Sequence, residues 1–309
     1  MSAFIPALRG ALLWLSRQQG LRQWMETAPA ARPLTQRFVA GMELDDAISA
    51  ARQLQQAGFL ASLDYLGENV TSLSEAEGSL DNYKMALHRI HFEVIEATVS
   101  MKVTSLGLDL SEQACLEKVQ ALVLQAHQTR TRVEFDMEDS SYTDRNLKLV
   151  RAMHSKMGSV RAVIQAYLYR SDRDVDILCE EGIPVRLCKG AYRELPSIAW
   201  QEKSEVDRNY VMLMDKLFDR GTFPAIATHD ATLVEAAIAQ SRSRGLSAED
   251  FEFQMLYGVQ RRLQRNLIER GFRVRVYVPY GRAWYPYFMR RLAERPANVA
   301  FLLRSLLQG

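Results

Sequence analysis

A chain of 309 residues, 48% hydrophobic and 25% charged, can bury one large core and is too evenly composed for a disordered or fibrous protein. A formal charge of +2 excludes a strong field for nucleic acid, and no apolar run reaches the roughly 18 residues of a membrane span. The three cysteines, Cys115, Cys179 and Cys188, have neither metal nor redox spacing and suit a reducing, cytoplasmic compartment.

The first 56 residues predict helices. Ala11, Leu12, Leu13, Trp14, Leu21, Trp24 and Met25 recur near a helical period, and Pro29 and Pro33 punctuate them. Pro6 and Arg9 interrupt the apolar start, which also lacks a small-residue cleavage site, so a signal peptide is not expected. Asp45 is predicted to cap a helix that runs to Gln56 and stops at Gly58. The expectation is a helical arm, 1–56, packed on a second unit, 57–309. The arm's apolar residues suit packing on that unit better than a membrane contact.

From Phe59 a short β-rich run, a polar loop and an amphipathic helix recur. The predicted strands are 60–66, 97–103, 132–138, 162–168, 184–189, 225–228, 251–256 and 274–278. The predicted helices between them are 73–91, 111–127, 143–157, 172–181, 198–220, 231–244 and 259–270, with a last one beginning near Trp284. Such alternation means parallel strands joined by right-handed crossovers, and eight units in this length point to an α/β fold of the (β/α)₈ TIM-type barrel class. No GxGxxG follows a strand, which argues against a Rossmann site.

Chemistry in such a barrel sits at the carboxyl ends of the strands. Polar residues crowd there: Lys102 on the second run, Glu134, Asp136 and Glu138 on the third, Gln165 on the fourth, Arg186 and Lys189 on the fifth, Thr228 and His229 on the sixth, Gln254 on the seventh. Buried polar groups are costly unless they pair or work. Glu134, Glu252 and Arg275 read as a structural ion-pair network, and those nearer the strand ends read as site candidates. The eighth strand, with alternating Val274, Val276 and Val278, is closed by Pro279 and Gly281. The helix after it carries Tyr287, Arg290, Arg291 and Glu294 on neighbouring positions. Two adjacent guanidinium forks make a carboxylate clamp; the alternative is a solvated basic face. His88 and His91 have no acidic partners placed with them, so no metal site is expected.

The closing stretch YVPYG, followed by Trp284, Tyr287 and RRLAE at 290–294, resembles the signature of the proline dehydrogenase family. Asp64-Tyr-Leu-Gly-Glu68 is similar to the family's DxLGE. Lys102, Asp136, Gln165, RLCKGAY at 186–192, Thr228-His229 and FQML at 253–256 follow in family order. The resemblance covers about residues 35–305 and, since the chain ends at Gly309, is to the monofunctional bacterial type. It implies a distorted barrel with the last helix over its mouth and bound FAD. The implied reaction oxidises L-proline to Δ1-pyrroline-5-carboxylate, and a quinone re-oxidises the flavin at the inner face of the membrane. It also suggests a separate pyrroline-5-carboxylate dehydrogenase as consumer of the product.

The resemblance further implies roles. Arg290 and Arg291, steadied by Glu294, would hold the proline carboxylate; Tyr287, Tyr277 and Leu256 would line the ring pocket. Lys102 would pair with Asp136 beside the substrate. Arg186, Lys189, Gln165 and Met137 would face the flavin ring, Gly190 and Ala191 would let backbone approach the cofactor, and Thr228 and His229 would meet its diphosphate. Asp136 and Arg186 are the catalytic candidates. The competing readings are hydroxyproline oxidation, a Schiff-base aldolase using Lys102 or Lys189, and a barrel that binds a ligand without catalysis.

Overall fold

Eight parallel strands close into a barrel in sequence order: β1 (Leu60–Tyr65), β2 (Ala97–Met101), β3 (Val133–Phe135), β4 (Val160–Gln165), β5 (Val185–Cys188), β6 (Ala225–Ala227), β7 (Glu252–Leu256) and β8 (Val274–Tyr280), with β8 pairing back to β1. The computed structural model describes residues 37–285 and 287–289. The helices are α1 (Leu44–Gln56), α2 (Leu73–Phe92), α3 (Glu112–Gln128), α4 (Thr143–Met157), α5 (Ser171–Glu180), α6 (Lys203–Arg220), α7 (Ala231–Ser243) and α8 (Arg261–Glu269). The (β/α)₈ expectation is met.

The outer layer follows from side-chain pattern. Each helix turns an apolar stripe, such as Leu80, Tyr83, Leu87 and Ile90 of α2, against strand residues facing outward, such as Leu63, Val99 and Met101. Ser72, Ser111 and Asp230 accept hydrogen bonds from first-turn N–H groups of α2, α3 and α7 and fix where those helices begin. Asp45 is not the cap of α1. Glu43 is, in a reciprocal box with Asp46, which leaves Asp45 free to meet Arg89 across the surface.

α1 packs on both β8 and β1. It therefore occupies the place in the ring where a helix following β8 would close it. Residues after β8 are released to pack at the carboxyl ends of β1 and β7 instead: Trp284, Tyr285, Tyr287, Phe288 and Met289 form one buried cluster with Phe38, Val39, Leu66 and Val259. β8 runs two residues further than expected, to Tyr280. Pro279 is tolerated because its carbonyl accepts from Ala40 N at 2.9 Å while no N–H is needed there. α6 begins at Lys203 and not at 198, because 195–201 instead docks on the end of β4 through the Leu168–Ala199 bridge and the Trp200 N to Tyr167 O bond.

Candidate active site

The barrel interior is polar where most are aliphatic. Arg161, Arg186 and Arg275 interlock with Glu134 and Glu252. Arg161 bonds both carboxylates, Arg275 forks onto Glu252 at 2.9 and 3.1 Å, and Arg186 Nη2 donates to Glu134 and to Ser100 Oγ at 3.0 Å. Thr98 and Gln254 supply further donors to Glu134 at 2.8 and 3.2 Å. Burial alone would raise the Glu134 pKa, but the surrounding arginines Arg186, Arg161 and Arg275 outweigh it and hold the carboxyl at about 2. The expected Glu134–Glu252–Arg275 network is present. Fully buried Arg161 is a member that sequence reading missed, although its alternation with Val163 and Gln165 was a signal.

One layer nearer the mouth, Asp136 accepts from Arg186 Nη1 at 2.6 Å and from the Tyr277 hydroxyl at 2.6 Å. The Arg186 guanidinium lies 5.4 Å from the centre of the Tyr277 ring. Side chains from β3, β5 and β8 thus lock one another. Burial raises the Asp136 pKa, while Arg186, Lys102 and the Tyr277 hydroxyl oppose the rise.

The expected Lys102–Asp136 pair is replaced by another. Lys102 Nζ meets Asp64 Oδ1 at 3.1 Å, because β1 is hydrogen-bonded directly to β2 and brings Asp64 level with Ser100. Asp64 stood in the DxLGE motif without an assigned role. Burial pulls the Lys102 pKa down, but Asp64, Glu68 and Asp136 more than reverse this, so the ammonium stays charged. A charged ammonium is no nucleophile, which counts against the aldolase reading for Lys102.

Glu138 is buried beyond β3 and accepts from Thr104 N at 3.2 Å and Thr104 Oγ1 at 2.6 Å. Burial outweighs these bonds and pushes its pKa up to about 7. A carboxyl whose folded pKa is raised binds protons more tightly in the native state, so stability falls as pH climbs from about 4.5 to about 7. Glu138→Gln should flatten this slope. Melting curves from pH 5 to 8 check it; parallel profiles for the two proteins would refute the assignment.

At the rim, Leu256 and Tyr277 pack against the cluster that contains Tyr287. The described structure therefore brings three of the expected ring-pocket residues, Leu256, Tyr277 and Tyr287, together at the carboxyl ends of β7 and β8. Arg290, Arg291 and Glu294 lie outside the described residues.

The family model for proline dehydrogenase matches residues 47–304. The chain is 37% identical over 301 residues to proline dehydrogenase 1 of Bacillus subtilis subsp. natto, spanning 97% of this chain and 99% of that protein. The chain belongs to the proline dehydrogenase family. It is an oxidoreductase acting on proline. It is also 36% identical over 281 residues to the proline dehydrogenase of Deinococcus radiodurans, covering 89% of this chain and 91% of that one. Among solved structures, proline utilization A of Bdellovibrio bacteriovorus inactivated by N-propargylglycine superimposes with a TM-score of 0.80 at 25% identity. That match takes in 85% of this chain and 33% of the other.

Proline dehydrogenases imply a flavin, and the mouth offers unmet polar atoms for one. Gln165 Oε1 and Arg186 Nε are buried without hydrogen-bond partners among the described residues, on the adjacent strands β4 and β5. The Gln165 amide nitrogen is held by Glu138 O at 3.3 Å. An acceptor on one strand and a donor on the next fit a heteroaromatic ring edge that carries both complements. Met137, just after β3, is buried in the core.

Other candidates have local partners. Lys189 Nζ sits between Asp207 and Asp230, at 2.5 and 3.0 Å. Gly190 has φ +110°, and a Cβ there would lie 2.2 Å from the Tyr167 ring, so this glycine admits an aromatic side chain where approach by the cofactor was expected. Ala191 is exposed. Thr228 Oγ1 accepts from Asp230 N at 3.1 Å, and His229 Nε2 accepts from Leu256 N at 2.8 Å. That bond fixes the tautomer of His229, with its proton on Nδ1, and ties the end of β6 to the end of β7. His88 stacks on Phe92 at the surface.

Proposed function

We propose that this proline dehydrogenase converts L-proline to Δ1-pyrroline-5-carboxylate with FAD as the bound oxidant. The observation that carries the reading is full-length membership of the family together with the Asp136–Arg186–Tyr277 lock beneath unmet Gln165 and Arg186 atoms. Gln165, Arg186 and Met137 would hold the isoalloxazine, with Lys189, Gly190, Ala191, Thr228 and His229 toward the rest of the cofactor. Bound FAD supplies a two-electron acceptor for a hydride from the ring carbon next to nitrogen.

The chain's own residues do the placing. Arg290 and Arg291, with Glu294 steadying their forks, would bind the carboxylate. Tyr277, Leu256 and Tyr287 would enclose the ring; a bulky tyrosine at 287 favours proline over its hydroxylated analogue. Lys102, kept charged by Asp64, and Arg186, kept charged by Glu134 and Asp136, would present pre-oriented, ion-paired donors at the mouth. Asp136 holds the Tyr277 hydroxyl and so the edge of the pocket.

Re-oxidation by a quinone would bring the protein to a membrane surface; no helix among the described residues is long and apolar enough to cross a bilayer. The imine product would pass to a separate pyrroline-5-carboxylate dehydrogenase. Two bifunctional PutA proteins, of Klebsiella aerogenes and Escherichia coli, match this chain over 24% of their length.

The direct experiment is spectroscopic. The purified protein should be yellow, and anaerobic L-proline should bleach it, with recovery on adding a soluble quinone. A colourless protein that traps substrate on a lysine with borohydride would replace this reading by the aldolase one.

A further inference from the structure

At the opposite pole of the barrel, the turns that lead into the strands follow a rule with two exceptions. α1, α2, α3, α5, α7 and α8 each end with a left-handed residue one past the cap: Gly58, Val94, Arg130, Gly182, Gly245 and Gly271, with φ from 53° to 84°. Glycine takes this conformation without strain, whereas a side chain, above all a branched one, does not. The two exceptions, Val94 and Arg130, are neighbours around the ring. The next turn adds Ser159, also left-handed at φ 55°. All three line one cavity of about 770 Å³ at the amino ends of β2, β3, β4 and β8. Strain held in adjacent turns around one cavity motivates a functional reading; a further left-handed side chain, Phe223 at φ 44° in the turn into β6, does not line it.

The cavity is basic. Four arginines and three histidines line it against one carboxylate, Glu96. Arg275 is taken by Glu252, and Arg273 reaches the exposed Glu249 at 3.1 Å. Arg130 and Arg132 have no ion pair among the described residues. Arg132 Nη1 and His154 Nδ1 are buried without hydrogen-bond partners. Burial, then repulsion from Arg161, lower the Arg132 pKa to about 10 against the opposing pull of Glu134 and Glu252. Arg132, Arg161 and Arg273 crowd one ring, their guanidinium carbons 5.5 to 5.6 Å from the centre of Phe223, and of the three only Arg132 has no ion pair among the described residues. Leu60, Ile95, Val160 and Pro184 give the same cavity an apolar side.

We propose that this pole binds a small polyphosphorylated molecule, whose phosphates meet Arg130, Arg132 and His154 and whose body lies on the apolar side. Several separated cationic donors match a chain of phosphates better than a single carboxylate, because each guanidinium fork takes two oxygens. The volume is that of an ordinary small-molecule site. The site is remote from the strand ends that carry proline chemistry, so it does not depend on the reading of the mouth.

The test is calorimetric titration of the full-length, flavin-loaded enzyme with sodium tripolyphosphate and, separately, with ATP free of divalent metal. Saturable binding of one or both is expected, weakening as KCl is raised. Tighter ATP binding identifies a nucleotide; equal or tighter tripolyphosphate binding identifies free polyphosphate. Arg132→Gln should weaken binding about tenfold or more, as loss of a charged hydrogen-bond donor does. Arg130→Gly should weaken it too, while raising the Tm through relief of the left-handed strain and leaving proline turnover unchanged. The proposal is overturned if neither probe binds saturably in the millimolar range, or if both variants bind as tightly as the parent.

Discussion

Glu134→Gln should destabilise the barrel by about 3–5 kcal/mol, the usual cost of removing one partner from a buried ion cluster. The side chain is fully buried and touches Arg161, Arg186, Thr98 and Gln254, with Arg275 at 3.8 Å. Inside the barrel, Arg161, Arg186, Arg275 and Lys102 face Glu134, Glu252, Asp136 and Asp64, four cations against four carboxylates. Neutralising Glu134 leaves an uncompensated guanidinium where water does not reach. Urea unfolding at pH 7 measures the loss; a change under about 1 kcal/mol would show that the cluster relaxes around the neutral amide. Replacing Glu134 and Arg161 together by methionine should cost much less than the sum of the single changes, because the charge deficit disappears. The acid side is also fixed in sign. The carboxyl is depressed from 4.5 to about 2, so its contribution is complete above pH about 4.5 and is lost as pH falls through about 2. Glu134→Gln should lack that acid limb.

The barrel was legible because strand and helix periods alternate cleanly eight times from residue 59 onward, and because polar residues recur at one end of each strand. Pairing was less legible. Lys102 needed a carboxylate, and both Asp64 and Asp136 were available. Which one it meets depends on Arg186 reaching across from β5 to claim Asp136 first, a contact between residues 50 positions apart. The same limit hid Arg161, whose partner Glu252 is 91 positions away. Gly190 was recognised as a place where backbone must come close to something, but what comes close is Tyr167, because β4–β5 pairing continues past the strand ends through the Tyr167 N to Lys189 O bond. Spacing reveals which face a residue occupies. It does not reveal which of several complementary groups on that face wins when all are drawn into one interior.

That charge balance leads to the second large effect. Every cation that the described strands bring to the mouth is already engaged: Lys102 by Asp64, Arg186 by Glu134 and Asp136, Lys189 by Asp207 and Asp230. A substrate carboxylate entering this charge-balanced floor would find no spare guanidinium fork. We therefore place the two-armed donor in the segment following β8, whose residues 284, 285 and 287–289 pack beside Leu256 and Tyr277. Arg290 and Arg291 are the next cations in that segment. Arg291→Ala should therefore raise the KM for L-proline by about two orders of magnitude, corresponding to about 2–4 kcal/mol for truncating one partner of a desolvated charge pair, with kcat falling far less. Arg291→Lys should recover only part of this, since an ammonium has no planar fork. Prolinamide separates the clamp from general damage. The parent enzyme should prefer proline to its amide strongly, and Arg291→Ala should lose most of that preference. If the variant discriminates against the amide as well as the parent does, the carboxylate is bound elsewhere and the floor must reorganise to bind it.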